Sequence, residues 1–101
     1  MSIFSFGKRV NLEEGLEKAK NTPNSVILDV RTEQEYRSGH VPGSKNIPLD
    51  RIDTISIPKD RPLFVYCLSG ARSGNACSAL QRKGYNATNI GGISGYKGEV
   101  E

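Results

Sequence analysis

Two short, almost uninterrupted apolar runs, "SVILDV" at 25–30 and "LFVYC" at 63–67, constrain this chain more than any other feature, because each leads into a helical pattern. A strand that is apolar on both faces must be covered on both, the situation of an inner strand in a parallel sheet. After the first run, Thr32 and Glu35 make a capping-box pair that opens a short helix, closed by Gly39. After the second, Ser73, Ala76, Cys77 and Leu80 recur at helical spacing until Gly84. Ahead of both, Asn11 with Glu14 reads as a helix N-cap and its N3 acid; Leu12, Leu16 and Ala19 share one face before Asn21, Thr22 and Pro23 end the helix. "HVPGSKNIPL" (40–49) reads as a turn-rich connection and "DRIDTI" (50–55) as another short helix. "ATNI" (87–90) reads as a third, weaker strand bounded by Gly91 and Gly92. This alternation predicts an α/β fold with a mainly parallel sheet, whose ligands bind where strand C-termini meet helix N-termini.

Bulk properties narrow the function classes. At 101 residues, with 36% hydrophobic and 25% charged residues, the chain reads as one domain, 1–101, able to bury a core rather than remain disordered. Its formal charge of +3 comes from Lys and Arg scattered along the sequence, with no run of five, so no nucleic-acid tract is written here. No segment approaches the roughly 18 apolar residues of a membrane span. "MSIFSFGKRV" puts its basic residues after a short apolar stretch, the reverse of a secretory signal, so a free-standing cytoplasmic protein is expected. Two cysteines, Cys67 and Cys77, are too few for a disulfide scaffold and have no zinc-ligand partners nearby, so no metal and no cofactor is expected. In a reducing compartment both remain free thiols.

Cys67 ends the second strand, Leu68, Ser69, Gly70 and Ala71 form a short loop, and Arg72 and Ser73 stand at the start of the helix. So short a loop must curl, which turns successive backbone N–H groups toward one point. The helix adds its unpaired N–H groups and positive dipole end, and Gly70 keeps a side chain out of the bowl. The resulting anion cradle surrounds the sulfur. A free thiol ionises near pH 8.5, and bringing that to about 7 takes roughly 2 kcal/mol of preference for the anion. A helix terminus contributes up to about 2 kcal/mol when partly buried, so the loop can activate Cys67 without a neighbouring base. The competing reading makes Cys67 a small hydrophobe that ends a strand. Cys77, on the stripe with Ala76 and Leu80, reads as core.

These segments resemble the single-domain rhodanese-like sulfurtransferases, the thiosulfate sulfurtransferase family. The resemblance rests on Asp29-Val30-Arg31, Glu35-Tyr36, Gly39-His40-Val41-Pro42-Gly43, Asn46-Ile47-Pro48, the Cys67-to-Arg72 loop and Gly91-Gly92-Ile93. It implies a three-layer fold with a mainly parallel five-stranded sheet flanked by helices. It also implies a ping-pong reaction in which Cys67 takes a sulfane sulfur from thiosulfate or a persulfide donor and passes it, as a cysteine persulfide, to cyanide or a thiol acceptor, possibly on a protein. Four residues separate Cys67 from Arg72, whereas the phosphatases that share this loop grammar use five; the smaller cradle implies sulfur rather than phosphate.

Other residues receive supporting readings. Arg72 either binds an anionic donor or anchors the loop to nearby carboxylates. Asp29 and Arg31 are expected to hydrogen-bond to loops near the site. His40 reads as turn architecture rather than a base, and Glu35 is accounted for as the N3 partner of Thr32. Tyr96 stands where many relatives carry Trp, keeping an aromatic there. Leu68, Ser69 and Ala71 are uncharged, which leaves room for a persulfide donor in place of dianionic thiosulfate. Two further readings stay open: a non-catalytic rhodanese-like interaction or regulatory module, and the sulfur-handling domain of a larger redox enzyme.

Overall fold

In the computed structural model, which describes residues 11–101, the two apolar runs lie side by side as inner strands. The first is β1 (Val26–Asp29) and the second β3 (Leu63–Cys67), paired in parallel from Val26 with Leu63 to Asp29 with Tyr66. A two-residue β2 (Lys45–Asn46) lies outside β1, and β4 (Ala87–Gly92) lies outside β3, giving the order β2-β1-β3-β4 with every pair parallel. All five residues of β3 are buried, as an inner strand covered on both faces requires.

The strand alternation divides the core in two. Leu63, Val65 and Cys67 join Val26 and Leu28 beneath Ala76, Cys77 and Leu80 of α3 (Ala71–Arg82). Phe64 and Tyr66 join Leu12 and Ala19 of α1 (Leu12–Lys20) on the other face. Helix, sheet and helix therefore form three layers. Burying each large aliphatic side chain contributes about 1.5–3 kcal/mol, so the alternation fixes which face Cys67 joins.

Local signals account for the element ends. The Asn11 side chain accepts from the N–H groups of Glu13 and Glu14. The capping box of α2 (Glu33–Arg37) is formed in both directions, Glu35 N–H to Thr32 Oγ1 at 3.1 Å and Thr32 N–H to Glu35 Oε1 at 2.9 Å.

Two expectations need correction. The sheet has four strands among the described residues, where five were implied; after Gly92 the chain leaves the sheet, and Glu101 exchanges two backbone hydrogen bonds with His40. Strand β4 does not stop at Ile90 but runs through Gly91 and Gly92; glycine at 92 lets the loop backbone come close, since a Cβ there would overlap the Leu68 carbonyl. The short helix expected at "DRIDTI" is present as a 3-10 helix, Leu49–Thr54, broken at Arg51, with Arg51 N–H bonded to the Pro48 carbonyl three residues back. Within the turn-rich connection, two residues pair as β2, too short a strand to announce itself in sequence. Among the described residues no helix is long and apolar enough to cross a membrane.

Candidate active site

Strand β3 delivers Cys67 to the C-terminal edge of the sheet, and α3 begins only four residues later. Gly70 makes that connection at φ +102°, a left-handed backbone that other residues rarely adopt, and serves as the N-cap of α3. The turn brings the Gly70 N–H to 3.0 Å and the Ser73 N–H to 3.3 Å from the Cys67 sulfur, with the Ser73 hydroxyl 3.4 Å away. Burial pushes the Cys67 thiol pKa up; the Ser73 hydroxyl and the N–H groups of Ser73, Gly70 and Ser69 outweigh it, and the net direction is down. Cys67 itself is 0% exposed, so its sulfur lies beneath the loop backbone.

The predicted loop residues divide between cover and cradle. Leu68, Ser69 and Ala71 face outward, with Leu68 43% exposed, while Gly70 and Ser73 turn inward to the sulfur. Ala71, expected in the loop, opens α3, and Arg72 and Ser73 lie in its first turn as expected. A cleft of about 600 Å³ opens beside the loop, between Leu68–Gly70, the end of β4, Tyr96 and the first turn of α1.

Arg72 has a definite partner. Its guanidinium grips the Glu35 carboxylate with two parallel bonds, Nη1 to Oε1 at 2.7 Å and Nη2 to Oε2 at 3.0 Å. The bond from Arg72, followed by those from Thr32, pulls Glu35 down to about 2 against the opposing effect of burial. Arg72 thus contacts a carboxylate on α2, the contact its anchoring role calls for. Glu35, read from sequence only as a cap, holds the Cys67–Arg72 loop as well.

Asp29 and Arg31 form a buried pair, with Arg31 Nη2 2.7 Å from Asp29 Oδ2 and 2.7 Å from the Gly39 carbonyl. Asn46 Nδ2 donates to the backbone carbonyls of Asp29 and Arg31, both at 3.0 Å. These bonds fix the β1–α2 and α2–β2 connections, not the sulfur. His40 stacks on Tyr36 with ring centroids 3.7 Å apart and donates from Nδ1 to the Tyr36 carbonyl at 2.8 Å. This is the turn role expected of it. Cys77 sits in the core, its thiol pushed up to about 11 by burial, and Tyr96 packs with Ile93 against the α1-side core. Among the described residues no three His, Cys, Asp or Glu side chains gather as a metal site.

One residue of the site went unread in the sequence. Asn89, inside β4, accepts from the Ser73 hydroxyl at 2.7 Å and the Gly91 N–H at 3.0 Å, and donates to the Gly70 carbonyl at 3.1 Å. Asparagine is depleted in strands, and its position two residues before Gly91-Gly92 was the available signal.

The model of the rhodanese-like domain matches residues 12–99. The chain belongs to the rhodanese-like domain family. A sulfurtransferase of Allochromatium vinosum is 35% identical over 78 residues, covering 75% of this chain and 73% of that protein. A tRNA sulfurtransferase of Desulfurococcus amylolyticus is 34% identical over 79 residues, and there the match spans 77% of this chain but 16% of the relative. Among solved structures, a rhodanese-like domain protein from Staphylococcus aureus superposes with a TM-score of 0.79 at 32% identity, covering 93% of this chain and 96% of that one. Within this rhodanese-like domain, the loop from Cys67 to Arg72 joins a parallel strand to a helix N-terminus, the place where parallel α/β sheets collect ligands.

Proposed function

We propose that this rhodanese-like domain is a sulfurtransferase that carries sulfane sulfur on Cys67. The observation that supports it is the seat of the sulfur, held 3.0 and 3.3 Å from two backbone N–H groups at the N-terminus of the 12-residue α3. That arrangement stabilises a thiolate and, after transfer, an anionic persulfide. With thiosulfate, the thiolate attacks the outer sulfur; a new S–S bond forms, the bond to the sulfonate breaks, and sulfite leaves with its electron pair. A thiolate acceptor then attacks the terminal sulfur and leaves as a persulfide, regenerating Cys67; cyanide in the same role leaves as thiocyanate.

The same geometry bears on the donor. Both terminal nitrogens of Arg72 are engaged by Glu35, so the loop's one cation is neutralised. A persulfide on a thiol, with less charge to balance than thiosulfate, is the donor favoured here, and a thiol is the acceptor. Because Cys67 has no exposed surface, the loop parts as the donor arrives. Cys67 and Cys77 are both free thiols, the state that a reducing compartment such as the cytoplasm maintains. The chemistry needs no cofactor.

The test is intact mass after incubation with glutathione persulfide or thiosulfate. A single-sulfur adduct is expected in the parent protein and not in Cys67→Ser. No adduct with either donor, or one that survives the substitution, refutes the reading and favours a non-catalytic module.

A further inference from the structure

The Ser73 hydroxyl carries one proton and has four acceptors within reach. These are Asn89 Oδ1 at 2.7 Å, the Gly70 carbonyl at 3.1 Å, the Cys67 sulfur at 3.4 Å and the Gly91 carbonyl at 3.5 Å. Asn89 cannot turn to relieve the competition. Its Oδ1 already accepts from the Gly91 N–H at 3.0 Å and its Nδ2 donates to the Gly70 carbonyl at 3.1 Å, so both ends of the amide are fixed. A hydroxyl 2.7 Å from that oxygen donates to it and presents its lone pairs to the sulfur. A Cys67 thiol then satisfies itself by donating its S–H to Ser73 Oγ. Once the thiol ionises there is no S–H to accept, and the anion is held by backbone N–H groups alone, those of Gly70 and Ser73 nearest, unless the Ser73 proton turns toward it.

We propose that Asn89 is a positioning residue that acts on Cys67 through the Ser73 hydroxyl, whose proton rests on Asn89 beside the neutral thiol and swings to the sulfur when the sulfur is charged. No proton leaves the pair of side chains in this rotation, and the Asn89 carbonyl keeps its bond to Gly91 throughout. Asn89 thus competes with the sulfur for one proton, and the strength of that competition sets how readily Cys67 ionises. The inference rests on the reading of Cys67 as the reactive sulfur but concerns its ionisation, not the transfer.

The charges nearest the loop are paired among themselves, Arg72 with Glu35 and Asp29 with Arg31, and Glu13 lines the adjoining cleft. Substitutions at 73 and 89 leave all five in place. The experiment is the pH profile of iodoacetamide alkylation of Cys67, read by mass spectrometry, in the parent protein, Ser73→Ala, Asn89→Leu, Asn89→Asp and the Ser73→Ala/Asn89→Leu double variant.

Ser73→Ala is expected to raise the Cys67 pKa by about one to two units, the worth of one hydrogen bond to a charged acceptor. Asn89→Asp, a stronger acceptor at the same place, is expected to raise it by about one unit or more. Asn89→Leu removes the competitor and is expected to lower it, and that lowering is expected to vanish in the Ser73→Ala background. If Asn89 merely staples Gly70 to Gly91, Asn89→Leu shifts the profile equally with and without the Ser73 hydroxyl, which overturns the proposal. Should Asn89→Leu fail to fold, a Ser73→Ala/Asn89→Asp variant is added: a rise from Asn89→Asp that is smaller without the Ser73 hydroxyl than with it supports the proposal, since the direct effect of the new charge is present in both, and an equal rise overturns it. A missing persulfide adduct in the parent protein would defeat the sulfur-transfer reading and leave these alkylation profiles standing.

Discussion

Replacing Glu35 by Gln removes one charge, preserves the shape of the side chain and leaves an oxygen able to accept from the Thr32 N–H, so it isolates the grip on Arg72 from the helix cap. Glu35 is drawn from an ordinary 4.5 to about 2, first by the bond from Arg72, against burial, and then by the bonds from Thr32. Taken whole, that fall corresponds to roughly 3 kcal/mol. The side chains of Arg72 and Glu35 remain 34% and 30% exposed, and part of the fall belongs to the Thr32 bonds, so solvent screening and the surviving cap reduce the figure to about 1 to 1.5 kcal/mol. The sign follows from linkage. A carboxylate with a lowered folded pKa stabilises the protein above its unfolded pKa, and that contribution is lost as pH falls from about 4.5 toward 2. Urea unfolding followed by circular dichroism is the assay. At pH 7, Glu35→Gln should lower the midpoint by about 0.7 M for a slope near 2 kcal/mol per molar. The two proteins should converge as the parent's Glu35 protonates. Equal stability at pH 7, or a gap that stays constant down to pH 2, would refute the reasoning.

Two other perturbations probe the same site. Gly92→Ala places a methyl group against the Leu68 carbonyl, which backbone shifts must relieve at about 1–3 kcal/mol; a loss of persulfide formation larger than the loss of stability is expected, and a fully active variant would argue against the close approach. Iodoacetamide at pH 7 should alkylate the folded protein once, at Cys67, and twice after unfolding, because burial holds Cys77 up at about 11; modification of Cys77 in the folded state would contradict its place in the core.

Features built from neighbours in the sequence were legible in it. Asn11 caps α1 through residues two and three places on, Thr32 and Glu35 close their box within one turn, and Cys67 meets the N–H groups of Gly70 and Ser73 three and six residues later. Strand burial was legible for a related reason, since an unbroken apolar run admits few solutions. What the sequence hid are the bonds that cross the fold: Arg72 to Glu35, 37 residues apart, and Ser73 to Asn89, 16 apart. Nothing in the local pattern around Glu35 or Asn89 marks the second partner, because that partner arrives only when β1, β3 and β4 are laid side by side. The count of five strands came from the family resemblance rather than from local pattern, and four are found among the described residues.

The error over Glu35 has a physical lesson that reaches the mechanism. An ionised carboxylate offers about four acceptor positions, so one satisfied cap does not exhaust it. Here Oε1 takes the Thr32 N–H at 2.9 Å and Arg72 Nη1 at 2.7 Å together, while Oε2 takes Arg72 Nη2. One side chain therefore ties the first turn of α2 to the first turn of α3, and α3 carries the Ser73 N–H that faces the sulfur. Tilting either helix strains the same carboxylate. The cradle around Cys67 is held from two sides, by Glu35 through Arg72 and by Asn89 through Gly70 and Ser73. It follows that substitutions at Glu35 and Asn89 should each disturb the sulfur while neither touches it, and that their effects should couple rather than simply add, since both anchors act on the first turn of α3.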